Sequence, residues 1–318
     1  MVGYYLGLCN IYPTNYDLYQ DYFHFFHELS YQNIQNRHKK IYVQIMGGLG
    51  NQLFQIAAAY GIAKKHNRIL IIVNDTKKSK FPHNDYLNIY FDTIFKDKNW
   101  LVIYNDKLPS NIKKCVEIDN AMDCFQYNDN IINTDEDVYL NGYFQCEKYF
   151  KNYKHEIIRL FKQPDIMKNL YNKYPGLDNS FFIHYRRGDY IVKGGEMAYN
   201  LDHDGYFTRA IEYIASIADI TYAHVYIFSD DIEYCKQYPI FARIPNKTFV
   251  LDNPLNSLYL MSMCNLGGIC SNSSFSWWGS YLNENPNKIV TFPKQWIRNG
   301  RYGEENDVYY ENTILIDC

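Results

Sequence analysis

The stretch between residues 40 and 73 constrains the fold more than any other part of the chain. Lys40 to Met46 (KIYVQIM) is a short apolar run with β-branched residues, which reads as a strand. Gly47-Gly48-Leu49-Gly50 breaks it. Residues 51–66 (NQLFQIAAAYGIAKKH) are alanine-rich with apolar side chains at helical spacing, and Arg68 to Val73 (RILIIV) is a second, continuously apolar strand. Strand, glycine turn, helix, strand is a βαβ unit, so the two strands are parallel. Strands with no polar alternation are covered on both faces. The chain is therefore expected to be α/β, with helices on a buried parallel sheet.

The rhythm loosens and then restarts. Residues 74–145 are turn-rich and end in a strand, Val138 to Leu140, followed by Asn141-Gly142-Tyr143-Phe144-Gln145. Residues 146–162 read as a helix stopped by Pro164, and polar residues 163–179, with Pro164, Pro175 and Gly176, read as a linker. Beyond it come a strand (Phe181 to Arg186), a helix (205–217), a strand (Ala223 to Phe228) and a short helix (Leu258 to Met263). A short strand (Leu266 to Cys270), a helix (Ser273 to Asn283) and a strand from Lys288 to Phe292, ended by Pro293, complete the series. A chain of 318 residues holds one large domain or two ordinary ones. The break near 163–179 favours two Rossmann-like parallel-sheet domains facing a cleft, residues 39–165 and 166–318. Residues 1–38 precede them as an extension. In it Leu18, Tyr22, Phe25, Phe26 and Leu29 fall at helical spacing, and Thr14 or Asn15 could cap a helix packed on the main body.

Composition removes several function classes. With 32 basic and 35 acidic residues the net charge is −3, so the chain is no electrostatic trap for nucleic acid. No run of about 18 apolar residues exists to span a bilayer, and the first residues lack the basic start of a secretion signal. A cytoplasmic protein is expected. The eight cysteines form no CxxC pair and no zinc-ligand spacing, so free, mostly buried thiols are expected. Aromatic residues reach 18%, which locates no site and is read as core and scattered surface tyrosine.

Four short motifs carry chemistry. The first is the glycine turn. Backbone N–H groups and the helix dipole at such a turn favour an anion. Gly48 and Gly50 match the first two glycines of the dinucleotide fingerprint, but Leu53 stands where the third belongs; Asp75 follows the second strand in a plausible ribose position. A tightly packed turn with no ligand is the plain alternative. Asn51 and Gln52, two amides at the start of an apolar helix, could reach a polar ligand or cap the helix.

The second motif is FFIHYRRGDY. Alternation along a strand places Phe182, His184 and Arg186 on one face and Phe181, Ile183, Tyr185 and Arg187 on the other. Ligands of open α/β sheets bind at the carboxyl ends of strands, where a guanidinium fork suits a phosphate. An arginine–aspartate pair closing a strand is the alternative. The third is Phe228-Ser229-Asp230-Asp231, whose acids could bind a metal, act as a base, accept from guanine or cap the next helix. The fourth, Ser271-Asn272-Ser273-Ser274-Phe275-Ser276-Trp277-Trp278-Gly279, places hydroxyls and free N–H groups at a helix start. Its tryptophans read as helix packing.

GGLGNQLFQ, HYRRGDY, FSDD and SNSSFSWWG, in this order from about residue 40 to about residue 295, resemble the α-1,2-fucosyltransferases of glycosyltransferase family 11. The resemblance implies a two-domain GT-B architecture, GDP-fucose as donor, no metal or other cofactor, and inversion at the fucose anomeric carbon. It implies a glycan acceptor, such as a terminal galactose, held mostly by the first half, and GDP held by the second. By the same resemblance Arg186 is the pyrophosphate-binding arginine, His184 lies beside the nucleotide, and Asp230, with Asp231 behind it, accepts from guanine or ribose. Ser273, Ser274 and Phe275 form the phosphate-facing helix start, while Gly48, Gly50 and Asn51 close over the β-phosphate and fucose. Arg187, on the opposite face of its strand, is expected to be mostly a structural anchor, with an acid as its candidate partner. Asp189 and Glu196 are the nearest carboxylates for a general base. Tyr185 departs from the family's usual aliphatic residue. Three other readings stay open: a metal-dependent transferase using Asp202-His203-Asp204 or Asp135-Glu136-Asp137, a nicotinamide dehydrogenase, and a non-catalytic nucleotide-sugar or glycan binder.

Overall fold

The computed structural model describes residues 39–73, 102–104, 112–117, 126–192, 201, 205–218, 220–297 and 306–318. The helix expected within 1–38, together with Asp75, Glu196, Asp202-His203-Asp204, Cys9 and Cys124, lies outside them.

The first sheet contains β1 (Lys40–Gln44), β2 (Ile69–Val73), β3 (Val102–Tyr104), β4 (Lys113–Val116) and β5 (Val138–Asn141), in the order β3-β2-β1-β5-β4. The second contains β6 (Ser180–Tyr185), β7 (His224–Ser229), β8 (Lys247–Phe249), β9 (Gly267–Ile269), β10 (Ile289–Pro293) and β11 (Ile314–Ile316), in the order β11-β10-β9-β6-β7-β8. Every pairing in both sheets is parallel. Helix α1 (Leu49–Lys65) follows β1. Helices α2 (Lys154–Phe161) and α3 (Pro164–Lys173) bridge the sheets in sequence, and α4 (Gly188–Val192) and α5 (Tyr206–Ile217) follow β6. Helices α6 (Ile232–Gln237) and α7 (Pro239–Ala242) follow β7, α8 (Pro254–Met263) follows β8, and α9 (Ser274–Tyr281) follows β9. The strand order reverses between β1 and β5 in one sheet and between β6 and β9 in the other. In doubly wound sheets the crevice at such a switch point is where ligands bind.

Side-chain alternation along β6 is as the sequence predicts. Phe181, Ile183 and Tyr185 join Phe207, Cys235 and Phe241 in one core cluster, while Phe182 joins the other. That larger cluster runs through both halves. Trp277 and Trp278 of α9 are fully buried; Phe54 of α1 lies 4.4 and 5.1 Å from their ring centres, and Phe150 stacks on Trp278 at 5.7 Å. The tryptophans thus pack the protein interior, and the two sheets share a core.

Two expectations fail between the sheets. The single helix over 146–162 is instead two 3₁₀ turns, Glu147–Tyr149 and Lys151–Tyr153, followed by α2. Phe150, at φ −136°, leaves the helical region to bury its ring between Phe54 and Trp278. The expected linker contains α3. Pro164 opens that helix rather than stopping the one before it, because a first-turn N–H has no intrahelical partner and proline's fixed φ already suits a helix. Helix α3 then packs on α8 of the second half. Strands β3, β4, β8 and β11 are additions, and α8 starts earlier than expected, at Pro254, where the Asn253 side chain accepts from the Asn256 N–H at 2.8 Å.

The six described cysteines are free, and five are buried. Burial pushes the thiols of Cys146, Cys264 and Cys270 up to about 12. Among the described residues no helix is long and apolar enough to cross a membrane.

Candidate active site

The turn after β1 is built by close approach. Gly47 has φ +79°, a conformation that favours glycine. At Gly50 a Cβ would lie 2.5–2.6 Å from backbone atoms of Ser274 and Phe275, so the first turn of α1 meets the first turn of α9 backbone to backbone. At Gly48, by contrast, a Cβ would have nothing within 4 Å among the described residues. The two amides divide the roles that the sequence left open. Gln52 is buried and donates to the Gly47 carbonyl at 2.7 Å, tying the turn to its own helix. Asn51 faces outward: its Oδ1 accepts from Gln145 Nε2 at 2.9 Å and from Ser274 Oγ at 2.6 Å. That second bond joins the β1 turn directly to the start of α9.

The β6 end is charged and interlocked. Ser271 Oγ donates to the His184 carbonyl at 2.6 Å and accepts from the Arg186 N–H at 2.9 Å, stitching the end of β6 to the end of β9. The Arg186 guanidinium pairs with Asp230 Oδ2 at 2.9 Å and lies 5.7 Å over the Tyr190 ring. Asp230 Oδ1 accepts the Arg187 N–H at 2.8 Å. Arg187 pairs with Asp231 Oδ2 at 2.6 Å and stacks 3.6 Å above Tyr234. Asp231 is also the N-cap of α6, accepting from the Tyr234 N–H at 3.2 Å. Each aspartate thus holds one arginine, and Arg187 is anchored to an acid. The Asp230 carboxylate keeps further lone pairs that can accept from a ligand.

His184 is buried at 4% exposure, with its ring 5.5 Å from that of Phe275. Its Nδ1 has no hydrogen-bond partner among the described residues. Burial first, with the Arg186 charge adding to it and Asp230 opposing, pushes its pKa down to about 3, so the imidazole is neutral near pH 7. Ser273 caps α9, accepting from the Phe275 N–H at 3.3 Å.

One site therefore gathers Gly48, Gly50, Asn51 and Gln52 from the first half and His184, Arg186, Arg187, Asp230, Asp231, Ser273, Ser274 and Phe275 from the second. The backbone of Asp189 lies in α4 beside them; its side chain, like Glu196, is outside the described residues. Asp135-Glu136-Asp137 is at the opposite, amino end of β5, where Asp137 accepts the Lys40 N–H at 2.8 Å. Five participants were not assigned roles from the sequence: Ser271, Gln145, Tyr190, Tyr234 and Glu117. Ser271 and Gln145 stand inside quoted motifs, and only pairing across strands reveals what they do. Glu117 ends an unremarked strand. It is buried and its Oε2 accepts the N–H groups of Tyr143 and Phe144 at 2.6 and 2.8 Å.

A fixed guanidinium, a helix start and a neutral amide-lined turn at facing switch points suit a diphosphate bound on one side and a neutral sugar on the other. The glycosyl transferase family 11 model matches residues 15–316. The chain belongs to glycosyl transferase family 11. This family 11 enzyme is 30% identical over 274 residues to an alpha-1,2-colitosyltransferase of Escherichia coli, covering 81% of this chain and 92% of the relative. It is 28% identical to the O-antigen biosynthesis glycosyltransferase WbnK of Escherichia coli, with 81% and 95% covered. It is 27% identical to a galactoside 2-alpha-L-fucosyltransferase of Caenorhabditis elegans, with 76% and 68% covered. Its two parallel Rossmann-like sheets form the GT-B type α/β architecture that the motifs implied.

Proposed function

We propose that this enzyme is an inverting fucosyltransferase that moves L-fucose from GDP-fucose to the 2-hydroxyl of a galactose or similar sugar on a glycan acceptor. The observation that carries the reading is the Asn51–Ser274 bond, which brings the uncharged β1 turn against the start of α9, one strand-end away from Arg186. Bond cleavage at C1 builds negative charge on the diphosphate and positive charge on the sugar ring. Arg186 and the N–H groups at the start of α9 stabilise the leaving oxygens without reorganising at the moment of reaction. Asp230 holds Arg186 in place and accepts from guanine; Asp231 holds Arg187. The base that takes the acceptor proton is one of the first carboxylates after the arginines in sequence, Asp189 or Glu196, whose contribution to rate is about 10²–10⁴. The charge chemistry is complete without a metal or other cofactor, so transfer is expected to survive EDTA. The relatives' names, two of them specifying transfer to a 2-position, support the linkage.

The colitosyltransferase relative favours one second reading, that the donor sugar is colitose, which is fucose lacking one ring hydroxyl. The test is incubation with GDP-fucose or GDP-colitose and a panel of glycan acceptors, with and without EDTA, read by mass spectrometry. A gain of one fucose on galactose-terminated acceptors, unaffected by EDTA, is expected. A colitose gain alone moves the reading to that donor. GDP binding with no transfer to any acceptor leaves a binding protein and overturns the proposal.

A further inference from the structure

Glu117 stands at the end of β4, next to the point where β5 gives way to the Gly142–Gln145 loop, and its N–H donates to the Asn141 carbonyl at 3.0 Å. Its carboxylate is buried, with both neighbouring amide donors, Tyr143 N–H and Phe144 N–H, bonded to Oε2. Phe144 takes φ +52°, rare for a side-chain-bearing residue, and a Cβ on Gly142 would collide with Glu117 itself. The other oxygen, Oε1, is buried and has no hydrogen-bond partner among the described residues. A buried polar atom left unpaired is destabilising, so stability alone does not account for a carboxylate here. The loop it shapes does more. Tyr143 packs over the Gly47 turn, and Gln145 donates to Asn51, whose bond to Ser274 links the β1 turn to the start of α9.

We propose that Glu117 is a positioning residue for transfer: its carboxylate sets the Tyr143–Gln145 bend, so that Gln145 and Ser274 together fix the Asn51 amide at the mouth of the glycine turn. The inference rests on the transferase reading above and adds to it a residue that touches no substrate. Burial, only partly offset by the two backbone donors, pushes the Glu117 pKa up to about 7. The titratable groups that feel its charge are the hydroxyls of Tyr143 and Tyr149. Ionisation has two opposed effects. A charged acceptor grips the two N–H groups harder than a neutral one. It also lowers stability: as pH rises from the ordinary carboxylate range through about 7, the unfolded chain has already released the proton that the folded chain still holds. Activity and stability are thus expected to move in opposite directions over the same pH window.

The experiment compares the full chain with Glu117→Gln and Glu117→Ala. The measurements are kcat and KM across about pH 5.5–8.5, melting temperature, and hydrogen exchange at the Tyr143 and Phe144 amides. Glu117→Gln keeps the shape and removes the charge. It is expected to melt at or above the wild-type temperature at about pH 8, yet to lose about tenfold in kcat and the rising limb near neutrality, with GDP affinity within about twofold. Glu117→Ala is expected to speed exchange at both amides by about tenfold or more. A Glu117→Gln enzyme with wild-type kcat and the wild-type rising limb overturns the proposal. If the wild-type chain transfers no sugar at all, the transferase reading fails separately. The exchange data then decide Glu117 alone, and unchanged protection at Tyr143 and Phe144 in Glu117→Ala overturns it.

Discussion

The turn after β1 and the loop after β6 occupy the same place in their sheets, and they are built from different materials. The first is made of glycine backbone and two amides, with Gln52 turned inward and Asn51 turned outward. The second interlocks two arginines with two aspartates and stitches their loop to β9 through Ser271. Position in a doubly wound sheet therefore selects where a ligand binds, and the residues placed there select its charge. On the proposed reading the charged side takes the leaving diphosphate and the uncharged side takes the sugar. The contact between them is as close as backbones allow, because Gly50 leaves no room for a Cβ beside Ser274.

The largest test of this division lies within the charged side. Arg186→Lys keeps a cation and loses the planar fork. Loss of a comparable preorganised donor costs about 10²–10³ in rate, so kcat is expected to fall by that much and donor KM to rise. Arg187→Lys keeps a cation beside Asp231 but loses the planar fork and its stacking on Tyr234, which help hold α6 to the loop. It is expected to lower the melting temperature and nearly keep turnover per folded molecule. Measuring kcat, donor KM and melting temperature for both variants decides it. A dead Arg187→Lys beside an active Arg186→Lys breaks the assignment of the diphosphate to Arg186.

The glycines give the next largest effect and probe the contact between the sides. Gly50→Ala pushes a methyl into the Ser274 backbone, and overpacking of this kind costs about 1–3 kcal/mol. It is expected to lower stability and transfer together, since α1 and α9 must part. Gly48→Ala meets open space at φ −71°. It is expected to gain a few tenths to about 1 kcal/mol of stability through the unfolded state while raising donor or acceptor KM. If the open space at Gly48 is mere surface, KM stays put.

How far the sequence reached depends on the range of the interaction. The β1–α1–β2 unit, the ends of β6 and β7 and the cap at Asp231 were legible because local pattern decides them: apolar runs, glycines and a capping carboxylate act over a few residues. Pro164 was misread because proline both stops and starts helices, and only packing of α3 on α8 separates the two cases. The 3₁₀ turns at Glu147–Tyr153 depend on where Phe150 finds Trp278, more than 120 residues away in sequence. β4, β8 and β11 are three or four residues long and take their form from a neighbouring strand. Ser271 and Glu117 escaped for the same reason, since their partners are set by strand order and strand order is not written locally.

A smaller effect measures the bridge between the two sides. Asn51→Ala removes the acceptor that Gln145 and Ser274 share; Ser274→Ala removes one donor. Each net hydrogen bond is worth about 0.5–1.5 kcal/mol. The double-mutant cycle between Asn51→Ala and Ser274→Ala, read by denaturant unfolding, is expected to show a coupling of about 0.5–1 kcal/mol. Strict additivity would mean that the Asn51–Ser274 bond contributes nothing of its own to holding the two turns together.

The smallest predicted effect sets the two halves against each other by the sign of a pH dependence. Glu117, on the first side, holds its proton longer when folded, so its contribution to stability declines as pH rises toward about 7. His184, on the second side, does the reverse. Burial pushes it down to about 3, so below its ordinary pKa of 6.5 the unfolded chain takes up a proton that the folded chain refuses. Stability is therefore lost as pH falls from about 6.5 toward 3. His184→Gln cannot titrate. Whatever it costs at about pH 7.5, the deficit in melting temperature against wild type is expected to shrink by roughly a degree or two on going to about pH 5.5. For Glu117→Gln, moving from about pH 7.5 to 5.5 shifts the balance toward wild type instead. Kinetically, a neutral imidazole throughout the working range means that no limb of the pH–rate profile belongs to His184, so any limb near 6.5 must survive in His184→Gln. Equal pH slopes of stability for the two variants would show that Glu117 and His184 are not shifted in opposite directions by burial, and the contrast between the two buried groups would be lost.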